Sequence, residues 1–208
     1  MPISRDEVID IAVQGGGLAA SLVGVGAMLD RAAALGRPEA LGASLIYGLT
    51  LVAMFTFSLL NTVIRDPRRQ AVIRLLDHSF IYCLIAGTYT PFCLLVLGGE
   101  TGLRLLVIMW LAAALGVILR IVLHKRFQHA LITLYVAMGW VAVVAAGPLL
   151  ERLPPQNLAW LVAGGLSYTL GAVVFLLDSK IKYAHFVWHL FVIAGSACHV
   201  GAVVVRSA

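Results

Sequence analysis

Seven apolar runs, each long enough to cross a lipid bilayer as one helix, take up most of this chain. They fall near residues 11–29, 40–63, 79–97, 103–123, 130–150, 157–177 and 184–205. A spanning helix needs about 20 mostly apolar residues. In hydrocarbon, each backbone N–H and C=O must be paired inside its own segment, which leaves the helix as the solution for runs of this length. Composition agrees: 61% of residues are hydrophobic and 12% charged, where a soluble domain carries about a quarter charged residues. The expected fold is all-α, a seven-transmembrane-helix bundle forming a single integral-membrane domain over 1–208. The separators between runs are short and charged, so successive helices must run antiparallel.

The net charge is +5. The basic residues flank the apolar runs, which points to phospholipid headgroups and not to nucleic acid. Arg5, Arg65, Arg68, Arg69, Arg74, Arg120, Lys125, Arg126, Lys180 and Lys182 fall on one side; Arg31, Arg37, Arg104, Arg152 and Arg206 fall on the other. The positive-inside rule then places the N-terminus in the cytoplasm and the C-terminus outside. Asp6, Glu7 and Asp10 offset Arg5, and no small-residue cleavage site follows, so the first run reads as a retained span. Cys83, Cys93 and Cys198 lack metal or redox spacing and read as small core residues. Gly15-Gly16-Gly17 opens no strand-turn-helix unit and reads as a place of close helix packing.

His185 and His189 stand four apart in the last run. On a helix that spacing puts two imidazoles on one face, one turn apart, able to grip one ion. With the N-terminus inside, the second span ends at the cytoplasmic face near Ser58, Asn61 and Thr62. The third starts there with Asp77 and His78. A carboxylate beside two imidazoles is a Zn²⁺ donor set. The alternative for the histidines is a pair of interior rings bonded to carbonyls or hydroxyls. For Asp77 it is a helix N-cap or a partner of Arg74. His199 lies 14 residues beyond His185, roughly 21 Å along a helix, so it belongs to a neighbouring-helix contact or an outer polar cavity. His78, His124 and His129 read as solvated. Pro91 should kink the third span, with Thr88 and Thr90 satisfying freed backbone groups. Ser167, Tyr168 and Thr169 read as interhelical contacts, and the four tryptophans as packing or interface residues.

Leu76-Asp77-His78-Ser79, followed by Ile85-Ala86-Gly87-Thr88-Tyr89-Thr90-Pro91-Phe92, resembles the signature of the hemolysin III family, the bacterial branch of the progestin and adipoQ receptors. Ala184-His185-Phe186-Val187-Trp188-His189-Leu190-Phe191 resembles that family's seventh-helix motif. The resemblance implies a zinc near the cytoplasmic face, held by one histidine at the end of helix two and two in helix seven, with an aspartate of helix three close by. Carried over, the ligands are His185 and His189, with Asp77 as the aspartate and candidate base. Ser58 matches a serine four residues before the first histidine, so Thr62 stands where that histidine is expected. A register slip of one puts Asn61 there instead. Gln14 stands where the family often has a further histidine. Two histidines, Asp77 and water could still complete the zinc.

What the resemblance implies is a multi-pass protein of the inner (plasma) membrane with lipids as its partners. Its activity would be zinc-dependent hydrolysis of a lipid amide, ceramidase-like: zinc polarises the amide carbonyl, and Asp77 orients or deprotonates the attacking water. The alternative is a non-enzymatic membrane-homeostasis factor or lipid sensor with a degenerate or metal-free site. A pore-forming cytolysin is the reading least supported by the chain.

Overall fold

The computed structural model describes residues 5–123, 128–177 and 183–206. Among the described residues, eight α-helices occur in the order α1 (Arg5–Ala34), α2 (Pro38–Val63), α3 (Pro67–Pro91), α4 (Gly99–Leu123), α5 (Gln128–Trp140), α6 (Ala146–Arg152), α7 (Pro155–Leu176) and α8 (Ala184–Arg206). A π-helical turn, Phe92–Leu97, extends α3, and a 3₁₀ turn, Val141–Ala145, joins α5 to α6. Counted as spans, with α5 and α6 as one, these give seven helices long and apolar enough to cross a membrane. The outward faces are apolar, with Val144, Val23 and Leu49 among the most exposed side chains, as suits a surface solvated by lipid tails. This is a multi-pass membrane protein.

Local chemistry sets the element ends. Gly36 closes α1 at φ +62°, a left-handed conformation that costs glycine little. Pro38 and Pro67 open α2 and α3 at first-turn positions, where a missing N–H removes no helical bond. The Asp66 side chain caps α3, accepting from the Arg69 amide at 2.9 Å. So α3 starts well before the apolar run at 79, and its early turns carry Arg68, Arg69, Gln70 and Arg74. Asp77 is therefore no N-cap; it sits about three turns inside the helix.

Pro91 cannot donate to Gly87, and the chain past it widens into the π turn. The Thr88 and Thr90 hydroxyls bond back to the carbonyls of Leu84 (2.8 Å) and Ala86 (3.0 Å). The break between α5 and α6 also has a visible cause. Pro148 lies two residues into α6, and the Tyr89 hydroxyl enters the interrupted ladder, accepting from the Ala142 amide at 2.7 Å and donating to the Gly139 carbonyl at 2.8 Å.

Packing is most extensive where α7 lies on α8, and where α2 lies between α1 and α3. Helices α2 and α3 approach closely at Gly87, where an added Cβ would collide with the Thr50 side chain. Of the three consecutive glycines, only Gly17 makes the expected close contact, against Phe55 and Ile193; Gly15 and Gly16 face open space. Cys93 is buried, Cys83 and Cys198 are half-buried, and all three are free thiols. Interhelical polar contacts follow the Ser167-Tyr168-Thr169 triplet: Ser167 donates to the Phe191 carbonyl at 2.8 Å, Tyr168 meets Ser196 at 2.8 Å, and Thr169 accepts from the Trp140 indole at 3.2 Å. Helix α5 meets α7 only sparsely, and the space left inside that wall is the cavity described next.

Candidate metal centre and lipid cavity

His185 opens the second residue of α8 and His189 follows one turn on, so their rings share a face. Their Nε2 atoms lie 3.1 Å apart, with the rings edge-on at 81°. Nitrogens bound to one tetrahedral zinc at about 2.0–2.1 Å stand roughly 3.3 Å from each other, so the pair already has the spacing of two ligands on one ion. The next group in line comes from α1. Gln14 is almost fully buried, and its amide nitrogen lies 3.3 Å from Nε2 of His189 and 3.0 Å from the Thr62 hydroxyl. Thr62 in turn reaches the Ser58 carbonyl at 3.4 Å.

Asn61 faces the other way. Its amide donates to the Asp77 carboxylate at 3.4 Å, and the buried Ser58 lies beside that carboxylate. The expected zinc residues thus form two adjoining groups: His185 and His189 with Gln14 and Thr62, and Asp77 with Ser58 and Asn61. Both candidates for the missing histidine position are in use, one in each group. Among the described residues, no three His, Cys, Asp or Glu side chains gather as a metal-holding group. Any third donor beside the two imidazoles must be of another type. Gln14 Oε1 is buried with no hydrogen-bond partner, and a half-turn of the amide would bring it to the face now occupied by the nitrogen. Two imidazoles and an amide oxygen fit a metal ion; Asn61 Oδ1, also buried and unsatisfied, marks a second gap beside Asp77.

His78 departs from its solvated reading. Its side chain is 17% exposed, Nδ1 bonds the Arg74 carbonyl at 2.8 Å, and the ring lies 3.7 Å from the Asp77 carboxylate. The side chain of His129, and all of His124, lie outside what is described. Arg120 was counted with the interfacial cations, but it is buried on α4, with its charge acting on Asp77 and His78. The signal was present: Arg120 lies inside an apolar run, and a cation there is a functional flag by default.

Ser58, Asp77, His78, His185 and His189 line one end of a cavity of about 380 Å³. It continues past Ile85, Tyr89, Trp188 and Val192 to Leu97, Leu149 and Leu158 at the opposite end, and its wall is overwhelmingly apolar. His199 lines its outer part and does not approach the histidine pair's end of α8.

With the seven spans and the motif residues in place, comparison with known proteins is decisive. The family described as Haemolysin-III related matches residues 5–200. The chain belongs to this family. It is similar to Hemolysin-3 of Bacillus cereus, at 38% identity over 93% of this chain and 88% of that one. The Hemolysin-3 homolog of Bacillus subtilis is 34% identical over 93% of this chain and 90% of the relative. The human Monocyte to macrophage differentiation factor is 31% identical over 76% of this chain and 67% of its own length. No solved structure matches the chain.

Proposed function

We propose that this haemolysin-III-related protein binds a membrane lipid, with the polar head at the Asp77, His185 and His189 end of the cavity and the chain along its apolar length. The observation that carries this reading is the continuity of one space from ionisable groups to an apolar far end. Such a gradient matches an amphiphile, since burying the polar head calls for partners and burying the tail calls for apolar contact. The test is equilibrium binding of a fluorescent short-chain lipid amide to purified, delipidated protein. Saturable binding that Ala172→Trp abolishes is the expected result. No saturable binding by the folded wild type would sink the reading.

The same polar end is the proposed zinc site. His185 and His189 would hold the ion, with Gln14 as an oxygen donor. When bound, zinc supplies Lewis acidity toward a lipid carbonyl. The chain's own residues do the rest. Asn61 bonds the Asp77 carboxylate at the cavity wall, with Ser58 beside it, where the carboxylate can position a water or take its proton. Leu84, Ile85 and Val192 add apolar wall to the same cavity.

A second reading is hydrolysis of a lipid amide, favoured by Asp77 lining the same polar end as the histidine pair. It requires chelator-sensitive release of free fatty acid that Asp77→Asn removes. A lipid sensor binds the same amphiphile and releases no product. We place the protein in the inner (plasma) membrane, with the basic end of the bundle toward the cytoplasm.

A further inference from the structure

We propose that the outer part of the cavity contains a second polar subsite, built on His199, which accepts a hydrogen bond from a hydroxyl or N–H group near the far end of the bound lipid. This rests on the lipid cavity proposed above and is independent of any metal. His199 is 6% exposed, yet its ring lines the cavity. Its Nδ1 lies 2.8 Å from the Gly195 carbonyl oxygen. A carbonyl oxygen only accepts, so Nδ1 of the neutral ring carries the proton and Nε2 carries a lone pair. Nε2 takes no hydrogen bond from any described residue. Nε2 is not sealed off from the cavity that the residue lines; a bound lipid that covers it without donating to it takes away its access to water and leaves the acceptor unpaired.

The ring cannot turn away to hide the lone pair. It stacks on Tyr168, with centroids 5.2 Å apart and planes 22° apart. Its Nδ1 edge fits against Gly164 of α7, where even a Cβ would collide with it. The hydroxyls of this wall already have hydrogen-bond partners of their own. Thr88 donates to the Leu84 carbonyl, Thr169 to the Gly165 carbonyl, and Tyr168 is paired with Ser196. Nε2 of His199 adds to this level an acceptor that no protein group donates to.

His199 lies ten residues beyond His189, about 15 Å along α8. The ligand class that satisfies both ends is a lipid with a polar head and, roughly 15 Å further on, a hydrogen-bond donor. A lipid carrying a distal hydroxyl has that form, whereas a plain acyl chain leaves the acceptor unsatisfied.

The test compares lauramide with its terminally hydroxylated analogue, each titrated calorimetrically into delipidated, detergent-solubilised protein. The hydroxylated analogue should bind wild type about three- to ten-fold tighter, the range of one net neutral hydrogen bond. His199→Phe keeps the aromatic stack and removes the acceptor, so it should erase the difference in affinity between the two amides. His199→Gln, which restores an acceptor, should recover part of it. Equal affinities in wild type, or a preference that survives His199→Phe, would overturn the subsite while leaving the cavity intact. Failure of both amides to bind wild type would overturn the cavity reading and the subsite together. The wild-type comparison stands by itself if a variant fails to fold.

Discussion

The Gln14 amide on α1 lies 3.3 Å from Nε2 of His189 on α8 and 3.0 Å from the Thr62 hydroxyl on α2. One side chain thereby ties three helices together at the polar end of the cavity. Gln14→Leu keeps the volume and removes both bonds. It leaves Thr62 and His189 short of a partner, so thermal unfolding in detergent should show a loss of about 1–3 kcal/mol. A melting temperature equal to wild type would mean that the contact carries no weight.

Metal content should follow the histidine pair. His185→Ala and His189→Ala should each abolish zinc measured by elemental analysis of purified protein. Thr62→His places a third imidazole beside Gln14 and should tighten zinc at least about ten-fold, equivalent to about 1.4 kcal/mol. Unchanged zinc affinity in Thr62→His would count against placing Thr62 at the missing ligand position.

Gly87 and Thr50 interlock α2 with α3, because the Thr50 side chain occupies the space a Cβ at 87 would need. Gly87→Ala should destabilise by roughly 1–3 kcal/mol through overpacking. Thr50→Ala introduced with it should recover a large part of that loss. Additive effects in this double-mutant cycle would show that the two residues do not meet.

Filling the cavity should separate binding from folding. Ala172 is buried and lines the cavity, so Ala172→Trp should push its ring into the lipid space. Bound lipid, followed by mass spectrometry of purified protein, should drop to background while the melting temperature holds within a few degrees. Lipid retained at wild-type level would place the occupant elsewhere.

The ion pair between Glu7 and Arg65, at 3.4 Å, is solvent-exposed on both sides. Exposed pairs contribute about 0–1 kcal/mol. Glu7→Gln should therefore change stability by less than about 1 kcal/mol, and a larger drop in the unfolding transition would reveal a further role for Glu7.

Much of this was legible in the residues. Bilayer thickness converts apolar run length into spans, so seven helices and their antiparallel order follow from hydropathy. The four-residue spacing of His185 and His189 dictates a shared face on any helix. His199 could be separated from that pair on rise alone. Pro91, with Thr88 and Thr90 beside it, announced a distorted helix end, and the structure has a π turn there.

Cross-helix relationships were less accessible, because hydropathy does not encode rotation about a helix axis. That rotation turned Thr62 toward Gln14 and Asn61 toward Asp77, dividing the expected zinc residues into two adjoining groups. Capping by Asp66 lengthened α3, moving Asp77 from the helix start to its interior and His78 from the interface to the cavity wall. Burial of Arg120, hidden in a tally of interfacial charge, was likewise decided by packing against α3 and α5. The sequence alone determined the membrane fold and the histidine pair, since these depend on segment length and local period, and its motifs carried the resemblance to the family. Only the tertiary structure decided that Gln14 joins the pair, that Asn61 bonds Asp77 with Ser58 beside it, and that one apolar cavity runs from them to His199, since each depends on how separate helices face one another.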